Sequence, residues 1–242
     1  LGFALTADQR TAMDEIAADL DRDKPMRRLL LGDVGSSKTS VALAAVAQCV
    51  AAGHQAAILA PTSVLAEQYL VSVKPLVRAL GYAPSAAAVA FITAGTPAAE
   101  RRRSEHAIAR GEAKVIIGTH ALLGESLVFP KLALVIVDEQ QRLGVAQRMK
   151  LLGRTRSRGA DEPAKTNKKA GAKSAKEEPA QQLLLLGAAA IAPPPVPVAT
   201  TRPHLLTLSA TPIPRTLALA LRGELQTSTL RQMPRGRKAS RL

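Results

Sequence analysis

Aromatic side chains are scarce in this sequence, with two tyrosines, three phenylalanines and no tryptophan in 242 residues. A core of that size must therefore be built from Ala, Val and Leu. One cysteine, Cys49, excludes an intrachain disulfide and a cysteine-based metal centre, and its place in an apolar run marks it as a small buried residue. Leu1 to Gln9 lacks the basic start and apolar run of a signal peptide. The most apolar later segment, Leu183 to Ala199, is interrupted by Pro193, Pro194, Pro195 and Pro197 and would make a poor membrane helix. A soluble, cytoplasmic protein without a membrane partner is the expectation. Acidic residues are few as well, 19 against 33 Lys and Arg, for a formal charge of +14. That balance points to a polyanion such as nucleic acid, although part of the charge can sit in a basic insert that does no specific work.

What is present is organised around Leu29 to Thr39, LLLGDVGSSKT. Three apolar residues suited to a buried strand enter a turn punctuated by Gly32 and Gly35, and the apolar, Ala-rich run Val41 to Ala52 follows. Strand, tight loop and helix form a phosphate cradle, in which backbone amides and a helix N-terminus face an anion. Gly32, Asp33, Val34, Gly35, Ser36 and Ser37 would line it, Lys38 would bridge the outer phosphates, and the Thr39 hydroxyl would hold Mg²⁺. The usual pattern has glycine where Ser37 stands. If that position requires a positive φ, the Ser37 side chain adds roughly 1 kcal/mol of strain. An ordinary strand-turn-helix with a surface lysine is the competing reading.

Thr6 and Gln9 fit a capping box at the start of a helix whose apolar face is Met13, Ile16, Ala17 and Leu20. The segment Phe3 to Gln9 also resembles the adenine-reading glutamine element found ahead of the phosphate loop in many helicases. Gln55 to Ala60 reads as a strand between Gly53 and the helix Val64 to Leu80, with Thr62 either a simple cap or a phosphate clamp. Ala87 to Ile92 and Lys114 to Ile117 read as further strands. Between them lies a helix from about Pro97 to Arg110, on which Arg101, Arg102 and Arg103 form a solvated basic face. His120 has no partner at a metal-ligand spacing.

Leu132 to Val137 is apolar throughout, as suits a central parallel strand covered on both faces. Asp138 and Glu139 follow at its C-terminal end, where open α/β sheets place ligand sites. Adjacent carboxylates there call for a partner such as nucleotide-bound Mg²⁺, with Asp138 on the metal through water and Glu139 activating the attacking water. An exposed pair at a strand end is the alternative. From Arg154 to Pro203 the chain turns to Lys, Ala, Glu and Pro without periodicity and reads as a flexible basic insert between residues 1–153 and 204–242 of one domain. His204 to Leu208 resumes the fold and leads into Ser209, Ala210 and Thr211.

GDVGSSKT, APTSVLAEQ (Ala60 to Gln68), GTHAL (Gly118 to Leu122), VDEQQRLGVAQR (Val137 to Arg148) and SATPIPRT (Ser209 to Thr216) occur in this order. Together they resemble the first motor domain of the RecG-type superfamily 2 DNA helicases. The resemblance implies a RecA-like P-loop domain of α/β class, a mostly parallel sheet with helices on both faces. It also implies ATP and Mg²⁺ as cofactors and branched DNA as partner. Lys38, Asp138 and Glu139 would be catalytic, Thr39 and Asp138 would hold the metal, and Gln9 would read adenine. Thr62, Thr93, Gly95, Thr119 and His120 would touch the DNA backbone. Gln141, Ser209, Ala210 and Thr211 would couple nucleotide state to DNA grip. Gln141 stands where RecG-type proteins have histidine, and the related transcription-repair coupling translocase carries glutamine there. A second RecA-like domain and a wedge domain would complete the machine. The competing expectations are a DNA-binding remnant disabled by Ser37, or the motor of a transcription-repair coupling factor.

Overall fold

Apolar runs that would be unstable against water become strands buried on both faces. The computed structural model describes residues 5–33, 35–82, 88–124, 127–138, 202–210 and 225–232. Its strands are β1 (Arg27–Gly32), β2 (Gln55–Leu59), β3 (Val89–Ile92), β4 (Val115–Gly118), β5 (Leu132–Asp138), β6 (His204–Ser209) and β7 (Gln226–Leu230). They form one sheet in the order β3-β4-β2-β5-β6-β1-β7, and every pairing is parallel. The helices are α1 (Ala7–Leu20), α2 (Lys38–Ala51), α3 (Ser63–Ala79) and α4 (Ala98–Ala109), with a short 3-10 turn at His120–Leu123.

Alternation along the strands divides the core. Ala56, Ile58, Leu134 and Ile136 pack with apolar residues of α1, α2 and α3 on one face. Ala57, Leu59, Val135 and Val137 pack with Ala107, Ile108, Leu122 and Phe129 on the other. The fold is the RecA-like α/β arrangement expected from the sequence. Helix and strand ends differ from the periodicity reading by a few residues: α2 begins at Lys38, β3 at Val89, and β4 extends to Gly118. The helix α3 runs through Pro75 without ending. Cys49 is buried, and burial pushes its thiol up to about 12, as befits an inert apolar filler. Residues 139–201 lie outside the described residues, including most of the expected insert. What the structure gives is that β5 and β6, on either side of that stretch, are neighbours in the sheet. Among the described residues no helix is long and apolar enough to cross a membrane.

The strand β7 was not foreseen, and its sequence QTSTL explains why: it alternates no apolar face and pairs only with β1 among the strands. Polar contacts hold it instead. Arg28 on β1 is buried, and all three of its guanidinium nitrogens are engaged. Nε and Nη2 reach Asp19 Oδ2 (2.8 and 2.7 Å), Nη1 reaches Glu15 and Ser228, and Nη2 also reaches Gln226. Ser228 donates in turn to Glu15. Beyond β7, the Arg231 and Gln232 amides donate to Asp8 Oδ2 at 2.8 and 3.0 Å. Helix α1 is thus tied to the sheet edge near both its ends.

His204 opens β6, and its Nδ1 accepts the Met26 amide proton at 3.0 Å, so the neutral ring is the one that fits. Burial lowers its pKa below 6.5, offset in part by the Asp19 carboxylate. Above pH ~6.5 both folded and unfolded chains hold the ring neutral, and below it only the unfolded chain protonates readily, so stability falls with pH. A His204→Asn variant keeps an acceptor for the amide and should show a shallower loss of stability between about pH 7 and pH 5 in urea titrations. Some slope persists, because burial and the charges of Lys131 and Lys114 also lower the pKa of His54. An unchanged slope would remove His204 from the acid response.

Candidate functional site

Because all strands run in one direction, the C-terminal ends of β1 to β6 open on a single edge of the sheet. Most of the described residues singled out by sequence lie there. Gly32 to Thr39 follow β1, Thr62 follows β2, Thr93 to Gly95 follow β3, and Thr119 and His120 follow β4. Asp138 ends β5 and Ser209 ends β6. Strand order divides the edge: β3, β4 and β2 carry the threonines on one half, β6 and β1 carry Ser209 and the loop on the other, and Asp138 lies between.

The loop has the backbone of a tight anion cradle. Gly35 has φ +94°, and Ser37 is the described non-glycine residue at positive φ, with φ 61° and ψ 40°. The condition stated for Ser37 is therefore met, and its Cβ carries strain of about 1–2 kcal/mol. Gly32 cannot be replaced without a shift, since a Cβ there would lie 2.5 Å from Ser36 Oγ and 3.0 Å from Leu230 Cβ. Helix α2 starts with no side-chain cap, unlike α1 and α3, which Thr6 and Thr62 cap, and it has no acidic residue in its first turn. The positive end of its dipole is thus left to an anion. Ser36 Oγ is buried with no hydrogen-bond partner among the described residues. Lys38 Nζ folds over the loop and donates to the carbonyls of Gly32 and Asp33, the latter at 3.0 Å.

Gln9 combines two readings in one side chain. Its Oε1 accepts the Thr6 amide (3.0 Å) while its own amide donates to Thr6 Oγ1 (3.2 Å), which completes the capping box. Its Nε2 reaches across to Ser36 O at 2.9 Å. With Gln9 buried and both ends of its amide engaged, it braces the loop from α1, and contact with a base would require exchanging one of these bonds.

The second half of the site converges on a residue the sequence reading passed over. Tyr69 on α3 is buried against the sheet and donates from its hydroxyl to Asp138 Oδ2 at 2.9 Å. Burial first, then the Asp138 charge and hydrogen bond, push the Tyr69 pKa far up, so the phenol stays protonated and a donor; Thr39, on the first turn of α2, acts on the same phenol in the opposite sense as the smallest of these influences. The end of β5 is thereby tied to α3 through one hydroxyl, on the side of the loop. Two signals in the sequence point to Tyr69: it directly follows Gln68 of the APTSVLAEQ segment, and it is one of two tyrosines in the chain.

On the other half, Thr62 Oγ1 accepts the Leu65 amide at 3.3 Å as the α3 cap. The Thr93 amide donates to Thr96 Oγ1 at 2.8 Å, which shapes the turn that exposes Gly95. Thr119 is buried and His120 exposed. Gly118 before them admits no side chain, since a Cβ would lie 2.0 Å from Ile92 O. Ser209 is buried and Ala210 half-buried. Val34, Glu139, Gln141 and Thr211 lie outside the described residues.

This geometry has relatives. The DEAD/DEAH box helicase family matches residues 6–219. The chain is 40% identical over 98% of its length to the ATP-dependent DNA helicase RecG of Mycobacterium bovis, and 37% identical over 98% to that of Synechocystis. It spans 27% and 23% of those proteins, about a quarter of the curated relatives it matches. Among solved structures, RecG bound to a three-way DNA junction matches with a TM-score of 0.63 and 33% identity, over 98% of this chain and 25% of that one. The DEAD-box helicase Mss116 matches at a TM-score of 0.57 and 17% identity, over 95% of this chain and 41% of that one, a likeness of fold alone. With that family matched over residues 6–219, the chain belongs to the DEAD/DEAH box helicase family, and within it is similar to the RecG helicases over nearly its whole length.

Proposed function

We propose that the chain is the ATP-binding motor domain of a DNA translocase that acts on branched DNA. The observation that carries this reading is that Thr39 on the first turn of α2 and Asp138 at the tip of β5, the latter held by Tyr69, lie on the sheet edge that also bears the phosphate loop. A hydroxyl on the first turn of α2 and a carboxylate at the tip of β5 are a hard-oxygen donor pair suited to Mg²⁺ beside nucleotide phosphates. Lys38 and the uncapped α2 N-terminus supply positive charge for those phosphates, and Gly32 to Ser37 supply the enclosing backbone. Bound Mg²⁺ would neutralise charge that develops on the transferred phosphoryl group. Glu139 would orient the water. Thr62, Thr93, Gly95, Thr119 and His120 occupy the half of the edge away from the loop, which leaves that half for a DNA backbone. Gln141 and Ser209 to Thr211 would relate the two halves. Turnover needs charge stabilisation from both sides of such a cleft, so a second RecA-like domain is the expected working partner, with a wedge domain for the junction. Such work belongs in the cytoplasm with the chromosome.

The test is DNA-stimulated phosphate release by the full-length protein, with a three-way junction and a linear duplex of equal length. The junction should stimulate more strongly. Equal stimulation would remove the branched-DNA preference, and no stimulation by either DNA would leave a binding remnant. A Ser37→Gly variant sharpens the result. Because the left-handed strain is already present without nucleotide, its relief should raise stability in urea by about 1–2 kcal/mol, and ATP affinity should rise only if the Ser37 Cβ also obstructs phosphate. Unchanged stability would show that the loop carries the serine without penalty.

A further inference from the structure

Two elements meet at the Tyr69 hydroxyl: α3, which carries it, and the tip of β5 through Asp138 at 2.9 Å. The ring is 3% exposed and packs in the core between α3 and the sheet, so the hydroxyl is held in place by packing. A carboxylate can only accept, so the phenol proton goes to Asp138 Oδ2. Asp138 itself is anchored by its place in β5, paired with Leu208 of β6.

We propose that Tyr69 is a positioning residue that presents the Asp138 carboxylate, in a preset direction, to the divalent cation carried by the nucleotide. The inference rests on the nucleotide-site reading above and adds one residue to it. Its role is to fix the direction of the Asp138 oxygens before the metal arrives. Partners of metal ligands that act in this way change metal affinity by about 10- to 100-fold when removed.

Tyr69→Phe deletes the hydroxyl and keeps the ring. The measurement is the affinity for a fluorescent ATP analogue, with Mg²⁺ and again with EDTA, on the full chain. In the wild type Mg²⁺ should tighten binding. In Tyr69→Phe that gain should shrink about 10-fold, while affinity in EDTA stays the same. Asp138→Asn provides the control for folding defects, since adding Tyr69→Phe to it should produce no further loss of the magnesium gain. Circular dichroism melts should keep all variants folded at the assay temperature. A Tyr69→Phe protein with the full magnesium gain would overturn the proposal, as would equal losses with and without the metal, which mark a packing role. A wild type that gains nothing from Mg²⁺ would overturn the nucleotide-site reading and this inference with it, whereas a defect-free Tyr69→Phe beside a responsive wild type overturns the inference alone.

Discussion

Lys38→Ala should reduce DNA-stimulated ATP turnover by at least ~10²-fold while leaving DNA binding in the absence of nucleotide nearly intact. The reasoning starts from position. Lys38 is the first residue of α2, and its ammonium lies over the loop on the Gly32 and Asp33 carbonyls. No acidic residue occupies the first turn of that helix to neutralise it. A phosphate entering the cradle would offer the ammonium a full negative charge in place of two neutral carbonyls, and the charge on the transferred group grows during reaction. An interaction that strengthens in this way lowers the barrier more than it tightens binding. The loss should therefore fall mainly on kcat, as measured by phosphate release across a range of ATP concentrations. Lys38→Ala turnover within about 3-fold of wild type would place the chemistry elsewhere.

Arg28→Met should destabilise the fold by about 3–5 kcal/mol, the largest stability effect expected of one substitution here. The variant removes a guanidinium bonded through all three of its nitrogens and strands Asp19, whose side chain is 3% exposed. Arg22 remains on the other Asp19 oxygen at 2.9 Å, but it is 59% exposed and offsets little. Glu15 is 42% exposed and can turn to water, so the loss comes chiefly from Asp19. Adding Asp19→Leu should recover much of the stability, because the stranded charge goes with it. Urea midpoints of both variants provide the check, and near-additive losses would refute a shared buried network. The edge strand β7 should be the first element to exchange its amides in Arg28→Met, since Ser228 and Gln226 lose the same partner.

How much of this could be read from the sequence depended on what each residue signals locally. The strands β4 and β5, and β2 after Gln55, are apolar on both faces, and continuous apolar runs of that length allow few other fates. Parallel pairing then gathers their C-terminal ends, so the site's location followed from the fold. The strand β7 was hidden because QTSTL has no apolar alternation, and what holds it is the polar set around Arg28, 198 and 200 residues away from Gln226 and Ser228. Arg28 was hidden in turn because an arginine at a strand start reads as solvated until its partners are known. Tyr69 was missed since its role depends on a contact with Asp138, 69 residues away. Gln9 was weighed as a cap or as a ligand-facing residue, while its two amide atoms allow it to cap with one and brace the loop with the other. Ser37 went the other way: the glycine pattern alone identified a position of positive φ.

Backbone amide spectra of the chain titrated with an ATP analogue that resists hydrolysis, in the presence of Mg²⁺, test the central claim most directly. The account predicts that the amides of Gly32 to Thr39 shift together with those of Tyr69 and Asp138, and that β3 and α4 on the far side of the sheet stay unmoved. Shifts centred away from the β1–α2 loop, with Lys38, Thr39 and Asp138 unperturbed at saturation, would contradict it.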